Sequence, residues 1–288
     1  MNSPRHMKTV FKIIILLFFS NTVLCQSNSD SIIRTNKVKE VRIVDSENKV
    51  ASLTKYDSLG RMTFNALDNF GGATFLKTTL AKIYNDQGNN IQTISTHSSY
   101  PNERTVWFYE YDKNGNRTSI KTQDGNLVFQ FVYDESNFLI KELSYDDDNT
   151  IRQTKTFQRE IVGKKIISKN SGSFIKNRTT TTYLDENGQE IKVESYDGDK
   201  INFSASSVYK KNNLIRKMYN SGDGENYFYD SEGRLTKRQL FKTENGQEIP
   251  GSFEIFSYSS KGLIEKYVEN IYAGNILREY EYEYEFYN

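Results

Sequence analysis

Tyr227-Phe228-Tyr229-Asp230-Ser231-Glu232-Gly233-Arg234-Leu235-Thr236 decides the fold, because the chain keeps restating it. Tyr56-Asp57-Ser58-Leu59-Gly60-Arg61-Met62-Thr63 is a second copy. Tyr109-Glu110-Tyr111-Asp112-Lys113-Asn114-Gly115-Asn116-Arg117-Thr118 is a third. Before the turn, aromatic and polar residues alternate, the period of a half-buried strand. Asp then offers a carboxylate to local backbone N–H groups. Gly, three residues later, suits a left-handed position that a Cβ makes costly. The spacing predicts a type I turn closed by a glycine bulge, followed by a return strand opening on Arg-Leu-Thr. One copy is one β-hairpin.

Weaker copies carry the pattern along the chain: Tyr84-Asn85-Asp86-Gln87-Gly88, Tyr133-Asp134-Glu135-Ser136-Asn137, Tyr183-Leu184-Asp185-Glu186-Asn187-Gly188, Tyr209-Lys210-Lys211-Asn212-Asn213 and Tyr258-Ser259-Ser260-Lys261-Gly262. The segment from Phe157 to Ile166 fills the one long gap between anchor tyrosines. A hairpin recurring every 20–29 residues is a repeat architecture. The six residues Glu-Asn-Gly-Gln-Glu-Ile also occur twice, at 186–191 and 244–249, and their Asn-Gly pairs are hairpin chemistry.

Composition agrees. Of 288 residues, 14% are aromatic, with 20 Tyr and 18 Phe, and there are three prolines. These residues favour pleated sheet, and no stretch holds a helical period. The spacing predicts roughly eighteen strands. The fold class is therefore all-β: an antiparallel meander of repeated hairpins, either open and twisted or curled into a barrel-like shell.

Residues 1–25 read as a signal peptide. Arg5, Lys8 and Lys12 precede the apolar run Ile13 to Phe19, which is short for a membrane span. Cleavage falls between Cys25 and Gln26. Cys25 is the only cysteine. It would anchor the chain to a membrane if lipidated, although Leu24 and Thr22 fit that signal poorly. Residues 26–36 read as a linker and 37–288 as a single repeat domain. Without Arg5, Lys8 and Lys12, 35 basic residues face 37 acidic ones, a net charge of −2. That balance implies no nucleic-acid partner. The protein is expected to be exported, to the periplasm, the cell surface or the medium.

The repeated strings resemble the YD repeat of the Rhs (rearrangement hotspot) and teneurin proteins. The residues that carry this are Tyr227 to Thr236, Tyr109 to Thr118 and Tyr56 to Thr63, and with the weaker copies the resemblance covers about 54–264. It implies a continuous sheet of successive hairpins, which in large members coils into a hollow shell around cargo. The chain is also similar to short secreted Bacteroidetes proteins with degenerate YD repeats, some of whose relatives form soluble, porin-like meander barrels. It lacks the Asp-Pro pair of the Rhs self-cleavage signature. The hairpin repeat carries over, and the delivery role does not.

Catalytic signatures are absent from the sequence. His97 is the only histidine after the signal segment, with neither a zinc-ligand spacing nor a nucleophile motif around it. No phosphate-binding glycine loop occurs. Glu186, Glu190, Glu244 and Glu248 flank turns, where solvated charge is expected, and Asp146-Asp147-Asp148 reads as a solvated turn rather than a calcium loop. The expectation is a non-enzymatic binding or scaffold module with no metal and no cofactor. Its partner is unknown, with a glycan or an envelope protein as the readings weighed. A carbohydrate-binding or adhesive module would use aromatic rows, of which Trp107, Tyr109 and Tyr111 are the candidate ligand-binding residues. The row Tyr280, Tyr282, Tyr284 and Phe286 alternates with Glu281, Glu283 and Glu285. An outer-membrane β-barrel is the remaining alternative; the mean hydropathy of −0.70 and charged strands weigh against it.

Overall fold

The computed structural model describes residues 30–68, 77–97, 100–172, 175–271 and 276–288. The signal segment, with Cys25 and Gln26, lies outside the described residues.

Among the described residues one short helix, α1 (Asp30–Thr35), is followed by strands alone. These are β1 (Val38–Asp45), β2 (Val50–Tyr56), β3 (Met62–Asp68), β4 (Lys77–Tyr84), β5 (Asn90–His97), β6 (Tyr100–Tyr111) and β7 (Arg117–Thr122). Then come β8 (Leu127–Tyr133), β9 (Leu139–Tyr145), β10 (Ile151–Val162), β11 (Lys165–Gly172), β12 (Ile175–Leu184), β13 (Glu190–Asp197) and β14 (Lys200–Lys210). The last are β15 (Asn213–Tyr219), β16 (Gly224–Tyr229), β17 (Leu235–Glu244), β18 (Gln247–Tyr258), β19 (Ile264–Ile271) and β20 (Ile276–Phe286). Each pairs antiparallel with its neighbours in the chain. β20 also pairs with β1, from Val38 opposite Phe286 to Asp45 opposite Tyr280. The twenty strands thus form one closed meander barrel, and the choice between open and curled is settled as closed.

The turns have the expected chemistry. In the 57–61 turn, Asp57 Oδ1 accepts from the N–H of Leu59 and of Arg61, each at 2.9 Å. Gly60 N–H donates to Asp57 O, and Gly60 has φ +75°. Asp112, Asp134, Asp185 and Asp230 repeat this double acceptance. A register shift follows at each, the bulge that Asp-x-x-Gly predicts. Where Gly is replaced, Asn137 takes the left-handed position at φ +62°, which Asn tolerates best among residues with a side chain. The long gap holds a hairpin too: β10 and β11 meet through Val162 opposite Lys165, with Gly163 at φ +58°. These turns all follow even-numbered strands, so a meander gathers them on one rim of the barrel.

The segment read as a linker contains α1. Ile33 is only 1% exposed and packs with Val38, Val41 and Leu263. Six residues are too few for a helical period to show in sequence. Such a helix persists because its apolar side is buried, not because of propensity.

Candidate functional site on the aromatic face

Strand registers assign every side chain to one of two faces, because directly opposed residues share a face. Trp107 opposes Thr93, which opposes Lys82. Two residues along β4, Leu80 opposes Asn65, which opposes Thr54, then Val41, then Tyr284. On the other side, Tyr109 opposes Ile120, which opposes Phe129. The rows Trp107–Tyr111, Phe129–Tyr133 and Tyr280–Tyr284 therefore occupy one face, called here the aromatic face. Stacked pairs run along it: Phe129 on Phe131 at 6.1 Å, Tyr267 on Tyr280 at 5.9 Å and Tyr282 on Tyr284 at 6.5 Å between ring centroids.

The anchor tyrosines do more than alternate. Tyr84 Oη donates to Met62 O at 2.7 Å, Tyr111 to Asn90 O at 2.7 Å and Tyr133 to Arg117 O at 3.1 Å. Tyr229 donates to Leu214 O and Tyr258 to Leu235 O, each at 2.8 Å. In every case the acceptor is the first or second residue of the preceding hairpin's return strand. Each hydroxyl staples one hairpin to the one before it. The repeat's arginine closes the same unit. Arg61 Nε and Arg234 Nε each donate to their own turn's Asp at 2.7 Å. Their guanidinium groups lie 4.8 Å over the Tyr84 ring and 5.0 Å over the Tyr258 ring.

Tyr183 does not serve as such an anchor. Leu184 stands between it and Asp185, and the side-chain period of two sends Tyr183 to the other face. There its hydroxyl donates to Glu194 at 2.8 Å, and its ring lies 5.1 Å from Lys165 Nζ and 5.4 Å from Lys192 Nζ. Hydrogen bonds from Lys192, Tyr196 and Tyr183 hold the Glu194 carboxyl down at about 2.

The densest polar constellation lies on the aromatic face across β16–β20. Tyr227 opposes Arg238, Arg238 opposes Glu254, Glu254 opposes Glu269 and Glu269 opposes Arg278. Glu225 is 6% exposed and accepts from Tyr227 Oη at 2.5 Å, from Arg238 Nε at 2.7 Å and from the Tyr219 hydroxyl. Burial works against its charge, but these donors win and hold the carboxyl at about 2. Burial and the same carboxylate push the Tyr219 phenol up to about 12. Arg238 Nη1 continues to Glu254 at 3.0 Å. Glu254 and Glu269 are like charges directly opposed, which is unfavourable by itself. The Tyr267 hydroxyl sits between them, 3.0 Å from Glu254 and 3.2 Å from Glu269, and Arg278 Nη1 lies 3.3 Å from Glu269. Tyr267, 2% exposed, also packs on Phe256 at 5.2 Å.

Trp107, Tyr109 and Tyr111 do share a face, as alternation requires, but Tyr109 is 8% exposed. Burial pushes its phenol upward, and Arg117 lies 5.4 Å over its ring. Tyr111 is engaged as a staple. Trp107, like Tyr111, is half-buried. Asp146-Asp147-Asp148 forms a turn in which Asp148 Oδ1 accepts from Thr150 N–H at 3.0 Å and Oγ1 at 2.6 Å. Among the described residues no group of three His, Cys, Asp or Glu is placed to hold a metal. The charged row is missing from the sequence reading. A signal for it exists, because Glu225, Glu254, Glu269 and Arg278 each stand two residues from an aromatic that faces the same way: Tyr227, Phe256, Tyr267 and Tyr280.

No protein-family model matches the chain. Teneurin-3 of Mus musculus is 24% identical over 237 residues, 77% of this chain. The chain spans 8% of that protein's length. This match supports a YD/Rhs-like repeat relationship. Among solved structures, a porin-like protein from Bacteroides uniformis aligns with a TM-score of 0.36 at 14% identity, covering 87% of this chain and 97% of that one. The TcdB2-TccC3 structure aligns with a TM-score of 0.28 at 12% identity, covering 82% of this chain and 18% of that one.

Proposed function

We propose that this protein is an exported, non-enzymatic β-repeat barrel that acts as a binding or scaffold module through its aromatic face. The supporting observation is the row from Glu225 to Arg278. Its carboxylates and guanidinium groups are already engaged with one another or with tyrosine hydroxyls. A carboxylate held ionised by three donors is a poor acid or base near neutral pH. That fixed row stiffens the face that also carries the half-buried rings of Trp107, Tyr282 and Tyr284, and those rings suit recognition instead, of a glycan by ring stacking or of an envelope protein. On a carbohydrate array, the glycan form predicts a signal that weakens with Trp107→Ala; no signal from any glycan removes that form.

The outer-membrane alternative draws on the closed ring, which leaves no free strand edge. Two features weigh against it. Strands β7 and β16 have six residues, about 20 Å of length at roughly 3.3 Å each, before tilt shortens them against an apolar band about 25 Å tall. Charges also occupy both faces: Arg238 and Glu254 on the aromatic one, Arg42, Lys237 and Glu283 on the other. Detergent phase separation of the native host's envelope distinguishes the two. Recovery in the aqueous phase fits the binding module, and recovery only in the detergent phase overturns it.

A further inference from the structure

The two copies of Glu-Asn-Gly-Gln-Glu-Ile fold into different turns. At 186–191 the residue before the copy is Asp185, whose Oδ1 accepts from Asn187 N–H and Gln189 N–H, each at 2.8 Å. Gly188 N–H donates to Asp185 O at 3.2 Å, and only Gly188 has a positive φ, +77°. At 244–249 the preceding residue is Thr243, which offers no carboxylate. Glu244 opposes Gln247 directly, and Asn245 and Gly246 both turn left-handed, at φ +51° and +77°. That is a two-residue primed turn. Its central N–H groups point away from the ladder. Among the described residues Gly246 N–H meets no acceptor, and the Asn245 carboxamide makes no hydrogen bond. Both residues are exposed. The remaining Asn-Gly pair, Asn114-Gly115, is held like the first: Gly115 N–H donates to Asp112 O at 3.1 Å and Asn114 Nδ2 to Asn137 Oδ1 at 2.8 Å.

We propose that Asn245 is a site of spontaneous deamidation through a succinimide, and that the fold protects the same dipeptide at Asn187 and Asn114. The Gly246 backbone nitrogen, having given up its proton, attacks Cγ of Asn245. The new N–Cγ bond forms, the bond from Cγ to the side-chain nitrogen breaks, and that nitrogen leaves as ammonia, taking up the proton. Water then opens the ring at either carbonyl, leaving aspartate or isoaspartate at position 245. Glycine favours the attack because it has no side chain to obstruct the ring. The reacting nitrogen must lose its proton and swing toward Cγ. At Gly188 and Gly115 the hydrogen bond to the capping Asp carbonyl opposes both movements, and at Gly246 nothing does. The product places a new carboxylate, or a lengthened backbone, at the tip of the β17–β18 hairpin beside Glu244 and Glu248.

The matched copies supply their own control. The full chain is held at mildly alkaline pH, and conversion at positions 114, 187 and 245 is followed by peptide mapping. In urea, positions 187 and 245 share one local sequence and are expected to convert at equal rates. In the native protein, conversion at 245 is expected to run roughly fivefold ahead of 187, the factor that one hydrogen bond of net worth near 1 kcal/mol represents. Equal native rates, or a lead at 187, would overturn the proposal.

Discussion

Gly224 shows how much one residue without a side chain decides. A Cβ there would stand 2.4 Å from Lys217 O and 2.6 Å from Cζ of Phe241. Phe241 is 3% exposed, lies over the Gly224 backbone directly across the ladder, and has Arg216 4.9 Å over its ring. The position is a packing requirement, not a turn requirement. Gly115 is the opposite case, with φ +82° and nothing within 4 Å of an added Cβ. Gly115→Ala should cost about 1 kcal/mol, the strain of a left-handed residue. Gly224→Ala should cost more, up to about 3 kcal/mol, because backbone and ring must both move. Urea midpoints at constant slope measure both; equal shifts would show that Phe241 gives way freely. Gly115 is legible in the sequence through its Asp-x-x-Gly spacing. Gly224 is not, because nothing local marks the ring that arrives from β17.

At the level of the hairpin, the repeat motif serves two purposes. Asp and Gly shape the turn within one copy, and their roles follow from local chemistry alone. Tyr and Arg join one copy to the next, and their partners lie about twenty residues away in sequence. Tyr258→Phe keeps the ring under Arg234 and removes the hydroxyl bonded to Leu235 O. It should lower stability by about 1 kcal/mol, the net worth of one such bond. Tyr145→Phe, whose hydroxyl reaches the exposed Gln130 side chain, serves as the comparison and should cost less. Equal losses in urea unfolding would count against the staple. Tyr183 marks the limit of motif reading: one inserted leucine changes its face, and the anchor function goes with it.

Across the whole molecule, stability depends on closure. Strand β20 fills the last place in the ring, pairing with β19 on one side and β1 on the other. Without it two unpaired strand edges would face water, each a template for another chain. Removal of residues 276–288 should leave a sheet-rich chain that self-associates with rising concentration. Light scattering beside far-ultraviolet circular dichroism measures this; a monodisperse product with an unchanged spectrum would mean that the ring closes without β20.

The sequence by itself determined the strands, the turn type at each Asp-x-x-Gly, and which residues alternate together. These depend on backbone preference and a period of two, which act over a few residues. The repeat spacing predicts roughly eighteen strands and twenty are described: nine repeat turns join β2 to β19 in pairs, and β1 and β20 lie outside those pairs. Tertiary structure decided the rest. Closure of β20 on β1 needs the summed twist and register of the whole sheet. The row from Tyr227 to Arg278 joins five strands through registers that no single strand encodes. α1 exists because the sheet gives Ile33 somewhere to be buried. The same six residues form two different turns because the flanking strands pair in different registers, Leu184 opposite Glu190 at one copy and Glu244 opposite Gln247 at the other. The repeated Tyr-Asp motif is therefore architectural in each hairpin, and the surface proposed to bind is built where hairpins meet.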